Sequence, residues 1–218
     1  VDTELRQTVG EQAFSLVTQN AERLDEDLRN ALQSLVALSK AIPLEKLNDP
    51  FLLEKDLRNR PVALLMFDDL FVNRPDGSML VDVPARGRRG TSFAEYERFQ
   101  LAVATRKPQF GKPVRGPVTG APYLAINVPI LDSRGEVAAV LTGAFDLSRP
   151  NLLGKLAAAH IGKTGSFALF TRDRTIVVSP ASKRIMTQGA PPGTSKYFDR
   201  AMAGEEAWEE DANSDGVR

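Results

Sequence analysis

The residues that could do covalent or metal chemistry are few. Cysteine is absent, and histidine occurs once, at His160 in an apolar stretch. That removes disulfides, thiolate nucleophiles, His-based triads and Cys- or His-built zinc sites. The lone His160 reads as a packed or capping side chain. Gly162-Lys163-Thr164-Gly165 contains a Gly-Lys-Thr triplet. A phosphate-cradling loop needs a further glycine ahead of four intervening residues, and position 157 is alanine. The acidic pairs Glu205-Glu206 and Glu209-Glu210-Asp211 sit in a terminal polar run and read as solvated. Catalytic residues, cofactor and metal are therefore not expected.

A second constellation suits binding. Tyr123, Ala125 and Asn127 alternate with Leu124, Ile126 and Val128, the two faces of one strand. Asn127 is a polar residue in a strongly apolar strand, which selects the Tyr123 side as the pocket side. Asp146 ends the adjacent strand on the face shared with Thr142 and Ala144. Arg115 ends the strand before, and Tyr96, Arg98 and Phe99 stand on the preceding helix. An arginine, a carboxylate, an amide and aromatics around one cavity suit a small polar ligand such as a carboxylate. Each residue also has a plain structural role open to it: core edge for Tyr96, surface for Arg98 and Arg115, cap for Asp146. If Asp146 paired with an arginine, the pocket would be neutral and would favour an uncharged ligand.

The elements that must position these side chains follow from periodicity. Phe14, Val17, Ala21, Leu24, Leu28, Leu32, Leu35 and Ile42 recur at mostly three and four residues, which predicts one helix over the first forty residues, ended by Pro43. At about 1.5 Å per residue it would be roughly 60 Å long, enough to run beside more than one module or project from them. Asp49-Pro50 opens a second helix, with Asp49 as N-cap, running to about Asn59. Leu70 to Val72 and Met79 to Val81, around an Asn73 to Gly77 turn, read as a β-hairpin. Ser92 with Glu95 predicts a capping box and a helix to about Arg106. Three strands follow, near 110–115, 123–131 and 137–147, so the unit is a five-stranded antiparallel sheet with helical cover on one face.

The first part of this unit recurs. Leu80-Val81-Asp82-Val83-Pro84 has a counterpart in Ile176-Val177-Val178-Ser179-Pro180, and Arg98 to Ala104 parallels Tyr197 to Ala203. The spacing is roughly a hundred residues in both cases. The fold class is α+β: a long N-terminal helix and two tandem modules with antiparallel sheets, the second lacking the last two strands of its meander. The expected division is 1–60 helical, 61–149 first module and 150–218 second module.

Composition sets outer limits. Apolar residues make up 42% and charged residues 26%, and 28 acidic side chains balance 28 basic ones. There is thus no net field to draw nucleic acid or anionic lipid. Arg86, Arg88 and Arg89 read as a solvated loop. No run of 18 apolar residues occurs, so no membrane span is expected, nor a signal peptide. The sequence begins mid-helix and stops after Asp215-Gly216, which reads as cut boundaries.

The hairpin, the Ser92 to Leu147 stretch, the Gly162 and Gly165 pair opening the second module, and Gly143 leading to Asp146-Leu147 resemble the double Cache (dCache) sensor domains of bacterial receptors. The resemblance covers nearly the whole chain. It implies tandem PAS-like modules, a helix rising from one membrane span, and a membrane-distal module that binds ligand between its concave sheet face and the helix and loops over it. The membrane-proximal module would lead to a second span. It also implies a periplasmic location, membrane anchoring through flanking segments, a homodimer through the N-terminal helix, and a cytoplasmic histidine kinase, diguanylate cyclase or chemotaxis-type output. The amino-acid-binding branch carries an Arg and a Trp-Tyr pair in the helix predicted from Ser92, then Tyr and Asp, and a last Asp at the strand end. Here Tyr96, Arg98-Phe99, Val114 and Gly116 stand in those places, and only Asp146 matches. These departures argue against α-amino-acid binding. The competing reading is a structural or dimerisation module with a collapsed pocket.

Overall fold

The computed structural model describes residues 2–162 and 164–208. Helix α1 (Asp2–Ala41) is continuous and stops before Pro43. A 3-10 turn (Leu44–Asn48) leads to α2 (Pro50–Arg58), where Asp49 accepts from the N–H groups of Phe51 and Leu52 at 3.0 and 3.2 Å. A short α3 (Pro61–Met66), which the periodicity did not reveal, precedes the hairpin of β1 (Asp69–Asn73) and β2 (Met79–Val83). Then come α4 (Glu97–Thr105), β3 (Gln109–Phe110), β4 (Val114–Arg115), β5 (Pro122–Leu131) and β6 (Val137–Asp146). The sheet runs β2-β1-β6-β5-β3, with β4 also on β5, and the pairings are antiparallel.

The remainder is α5 (Gly154–Ala158), the pair β7 (His160–Ile161) and β8 (Gly165–Ser166), the pair β9 (Leu169–Phe170) and β10 (Ile176–Val178), and α6 (Lys196–Met202). The repeat seen in the sequence is thus structural: each matched pentapeptide overlaps the second strand of a hairpin, and each matched heptapeptide overlaps the helix that follows. Among the described residues no strand follows α6. Lys163 and the run Glu209-Glu210-Asp211 lie outside the described residues.

The chain divides into two compact units, one of residues 26–155 and one combining residues up to 25 with those from 156 onward. The N-terminal helical segment is therefore not a unit of its own, because α1 contributes to both. In the larger unit Ala31, Leu35, Leu38 and Ile42 of the α1 end are buried at spacings of three and four, as are Leu53 and Leu57 of α2. The sheet face carrying Ile126, Leu141 and Phe145 is also buried, and Phe67 lies 5.0 Å from Phe145 between ring centres. In the smaller unit Phe198 of α6 meets the Phe170 ring edge-on at 4.7 Å, and Arg174 pairs with Asp199 at 2.6 Å. His160 is exposed on β7, not packed or capping as the sequence suggested.

Two expectations fail for tertiary reasons. The helix predicted from Ser92 starts five residues later, at Glu97, with Tyr96 as an N-cap whose side chain makes no capping bond. Ser92 instead bridges Ser78, Phe93 N–H donates to the Gly77 carbonyl at 2.8 Å, and the Phe93 ring docks 5.3 Å from Phe71. The strand expected at 110–115 is split by Gly111-Lys112-Pro113, since proline offers no N–H to the ladder. The Asp49 cap does form, so Asp49→Ala is expected to lower the unfolding free energy by about 1 kcal/mol, readable as a shifted urea midpoint at constant slope.

Candidate functional site

A cavity of about 260 Å³ lies over the sheet in the 26–155 unit. It exists because the inner face of the central strands is built from small side chains. Ala125 pairs in register with Ala144 and Asn127 with Thr142, and these four form its floor. Tyr123 closes one end. Gly116 stands over that ring so closely that a Cβ there would come within 2.9 Å of it. The roof is the start of α4, with Tyr96, Glu97, Arg98 and Phe99, and the walls are Phe71, Phe93 and the segment between β3 and β4. Phe71, Phe93 and Tyr96 form a row of rings with centre distances of 5.3 and 5.2 Å.

Of the side chains singled out in the sequence, five line this cavity: Tyr96, Arg98, Phe99, Tyr123 and Asn127. Two do not. Arg115 is exposed and its guanidinium donates to the Gly120 carbonyl at 3.0 Å. Asp146 is spent as a cap, accepting from the N–H and hydroxyl of Ser148 at 3.0 and 2.5 Å. Nor does Asp146 pair with an arginine among the described residues, so it does not neutralise Arg98.

The hydrogen-bonding state of the lining is lopsided. Asn127 Oδ1 accepts from the Thr142 hydroxyl at 3.0 Å, while its Nδ2 has no partner among the described residues. Arg98 Nε and the Tyr123 hydroxyl are both buried without a partner. Burial lifts the Tyr123 phenol above its ordinary pKa, and the nearby Asp69 and Asp146 charges add to this. The phenol therefore keeps its proton at neutral pH. The first helical bond of α4 runs from Gln100 N–H to the Tyr96 carbonyl. The N–H groups of residues 97 to 99 precede it, and the positive end of that helix faces the cavity.

Arg88 was read in the sequence as part of a solvated loop, and the structure corrects this. It is 4% exposed and lines the cavity, donating to Asp69 Oδ1 at 2.8 Å and Asp82 Oδ2 at 3.1 Å, with its guanidinium 5.4 Å from the Phe71 ring centre. Arg86 also donates to Asp69, at 3.0 Å. Burial works against the Arg88 charge, but the bonds and charges of Asp69 and then Asp82 outweigh it and hold its pKa above the ordinary value. Arg86 and Arg89 are both exposed, as read, and Arg89 pairs with Glu54 at 3.2 Å. The carboxylates sit 19 and 6 residues from Arg88, separations that carry no sequence signal. Phe71 and Phe93 were likewise missed as lining residues.

No group of His, Cys, Asp and Glu among the described residues is placed to hold a metal, and no described helix is long and apolar enough to cross a membrane. Among solved structures, the ligand-binding domain of the Pseudomonas aeruginosa PAO1 amino-acid chemoreceptor PctB, in complex with L-Gln, is similar at TM-score 0.57 and 17% identity, over 84% of this chain and 70% of that one. That of the Pseudomonas fluorescens chemoreceptor CtaA, with L-isoleucine, is similar at TM-score 0.58 and 16% identity, over 85% and 74%. The extracellular domain of mmHK1S-Z3, described as a histidine kinase, matches at TM-score 0.65 and 15% identity, over 90% and 80%. At such identities the likeness carries the fold. No curated protein matches the sequence. The dCache_1 family model, a Cache domain, matches residues 1–215, and the chain belongs to that family.

Proposed function

We propose that this chain is the extracytoplasmic ligand-sensing part of a bacterial transmembrane receptor, and that it senses a small organic anion in the cavity of the 26–155 unit. One observation carries the reading. The cavity's side-chain donors at Arg98, Tyr123 and Asn127 are unpartnered, while its carboxylate, Glu97, is paired with Lys112 at 3.7 Å. A buried donor without a partner costs about 1–3 kcal/mol, which an acceptor-rich ligand recovers. Membership of the Cache family supports a periplasmic location, anchoring by flanking membrane segments and a cytoplasmic output of kinase, cyclase or chemotaxis type. Leu5, Val9, Leu16 and Val17 are exposed along α1, which supports a homodimer through that helix. A purely structural module is the competing reading. It would fill the cavity with its own side chains, whereas Gly111, Gly116, Ala125 and Ala144 leave it open.

A thermal-shift screen of metabolites on this domain tests the reading. A ligand at a hundred times its Kd adds about 2.7 kcal/mol, or roughly 5–10 °C in Tm. With the best anion from the screen, Arg98→Ala is expected to lose about 2 kcal/mol or more, close to 30-fold, by calorimetry. Arg115→Ala, outside the cavity, is expected to bind as the parent does. Equal affinity in Arg98→Ala would move the site elsewhere.

A further inference from the structure

Building on the anion-sensing reading, we infer that the ligand is an aromatic carboxylate without an α-ammonium group: a flat ring between the aromatic walls and a carboxylate against the start of α4. Three observations converge. First, size: at about 30 Å³ per water, the cavity's 260 Å³ holds roughly nine waters, which matches a molecule of about ten non-hydrogen atoms.

Second, the walls. Phe71, Phe93 and Tyr96 stand in a row with ring centres 5.3 and 5.2 Å apart, and the Phe93–Tyr96 planes are 30° from parallel. Phe99, 3% exposed, lies on the same cavity. A further ring can extend this row in the offset geometry that aromatic pairs prefer.

Third, the polar end is rich in unpartnered donors. Arg98 Nε and the hydroxyl of Tyr123, itself 6% exposed, are buried and unpartnered, and Asn127, 7% exposed, has a free amide N–H₂. These donors match a carboxylate. The lining offers an ammonium one carboxylate, Glu97, which is largely exposed and already sits 3.7 Å from the Lys112 ammonium that offsets its charge, while Asp146 and Asp69 do not line the cavity. An ammonium buried there would lose its water without replacement.

The test is calorimetric titration of the domain with phenylacetate, cyclohexylacetate and L-phenylalanine, repeated on Arg98→Ala and Phe93→Leu. Phenylacetate is expected to bind at least threefold tighter than cyclohexylacetate, the same shape without the π-system, and more than tenfold tighter than L-phenylalanine. Phe93→Leu is expected to narrow the gap between phenylacetate and cyclohexylacetate, and Arg98→Ala to weaken both acids at least tenfold. Cyclohexylacetate binding as well as phenylacetate overturns the aromatic assignment. L-phenylalanine binding as well overturns the exclusion of the ammonium. In both cases, retained dependence on Arg98 leaves the anion-sensing reading standing. Binding of none of the three, or binding indifferent to Arg98, overturns the inference; if the anions of the metabolite screen show the same, the reading falls with it.

Discussion

Arg88→Ala is expected to lower the unfolding free energy by about 3–5 kcal/mol, the typical cost of breaking a buried ion pair from one side. Arg88 is the charge that holds two carboxylates in the interior: Asp69 is fully buried and Asp82 is 4% exposed. In the variant Asp82 keeps only the Arg86 and residue-88 backbone N–H groups, at 2.7 and 3.4 Å, and Asp69 keeps only the half-exposed Arg86. Two carboxylates on paired strands would then share one neutralising charge. The measurement is urea unfolding of the domain, with the midpoint falling and the slope unchanged. The control removes the charges together: Arg88→Met with Asp69→Asn and Asp82→Asn is expected to regain most of the loss, because what is costly is the unpaired charge and not the missing arginine. A loss under 1 kcal/mol in Arg88→Ala would show that water reaches these carboxylates.

Phe145→Ala is expected to cost a similar amount, about 3–5 kcal/mol, by a different mechanism. Phe145 is fully buried and packs on Phe67. Its ring lies on the face of β6 opposite Ala144, because side chains alternate along a strand. The variant opens a void behind the sheet and leaves the cavity side chains in place. Stability should fall while the folded protein keeps its ligand affinity within about twofold. A loss of affinity comparable to that of Arg98→Ala would mean that the two faces of the sheet are mechanically coupled.

The sequence made the elements legible where a single periodicity governs them. The extent of α1, the Asp49-Pro50 start and the alternation at Tyr123, Ala125 and Asn127 all have local causes, and the structure places them as read; the α1 stripe is matched only in part, with Leu35 and Ile42 buried but Val17 and Ala21 exposed. Ser92 shows the limit. Its capping-box spacing with Glu95 is a valid local signal, but pairing with Ser78 and the docking of Phe93 on Phe71 use that stretch for the hairpin instead. The candidate site divides in the same way. Asn127 stood out because a lone amide in an apolar strand needs a reason. Arg115 and Asp146 fit the composition of a site and are engaged with Gly120 and Ser148, five and two residues on in the chain. Arg88 could not be told from Arg86 and Arg89, since only the folded hairpin brings Asp69 and Asp82 beside it.

The interruption between β3 and β4 has a consequence for how the domain meets its own kind at high concentration. A sheet's outermost strands are where chains stick to one another, by offering a run of free N–H and C=O groups. On one rim, Gly111-Lys112-Pro113 breaks that run after two residues and puts a proline and a charge in the gap. On the other rim the chain folds its own loop onto β2: Met79 N–H donates to the Thr91 carbonyl and Gly90 N–H to the Met79 carbonyl, both at 2.9 Å. Beyond them the Asp82 carboxylate takes the N–H of Arg86 and of Arg88. Neither rim is a template for a foreign strand, so the domain is expected to stay free of edge-to-edge pairing even in concentrated solution.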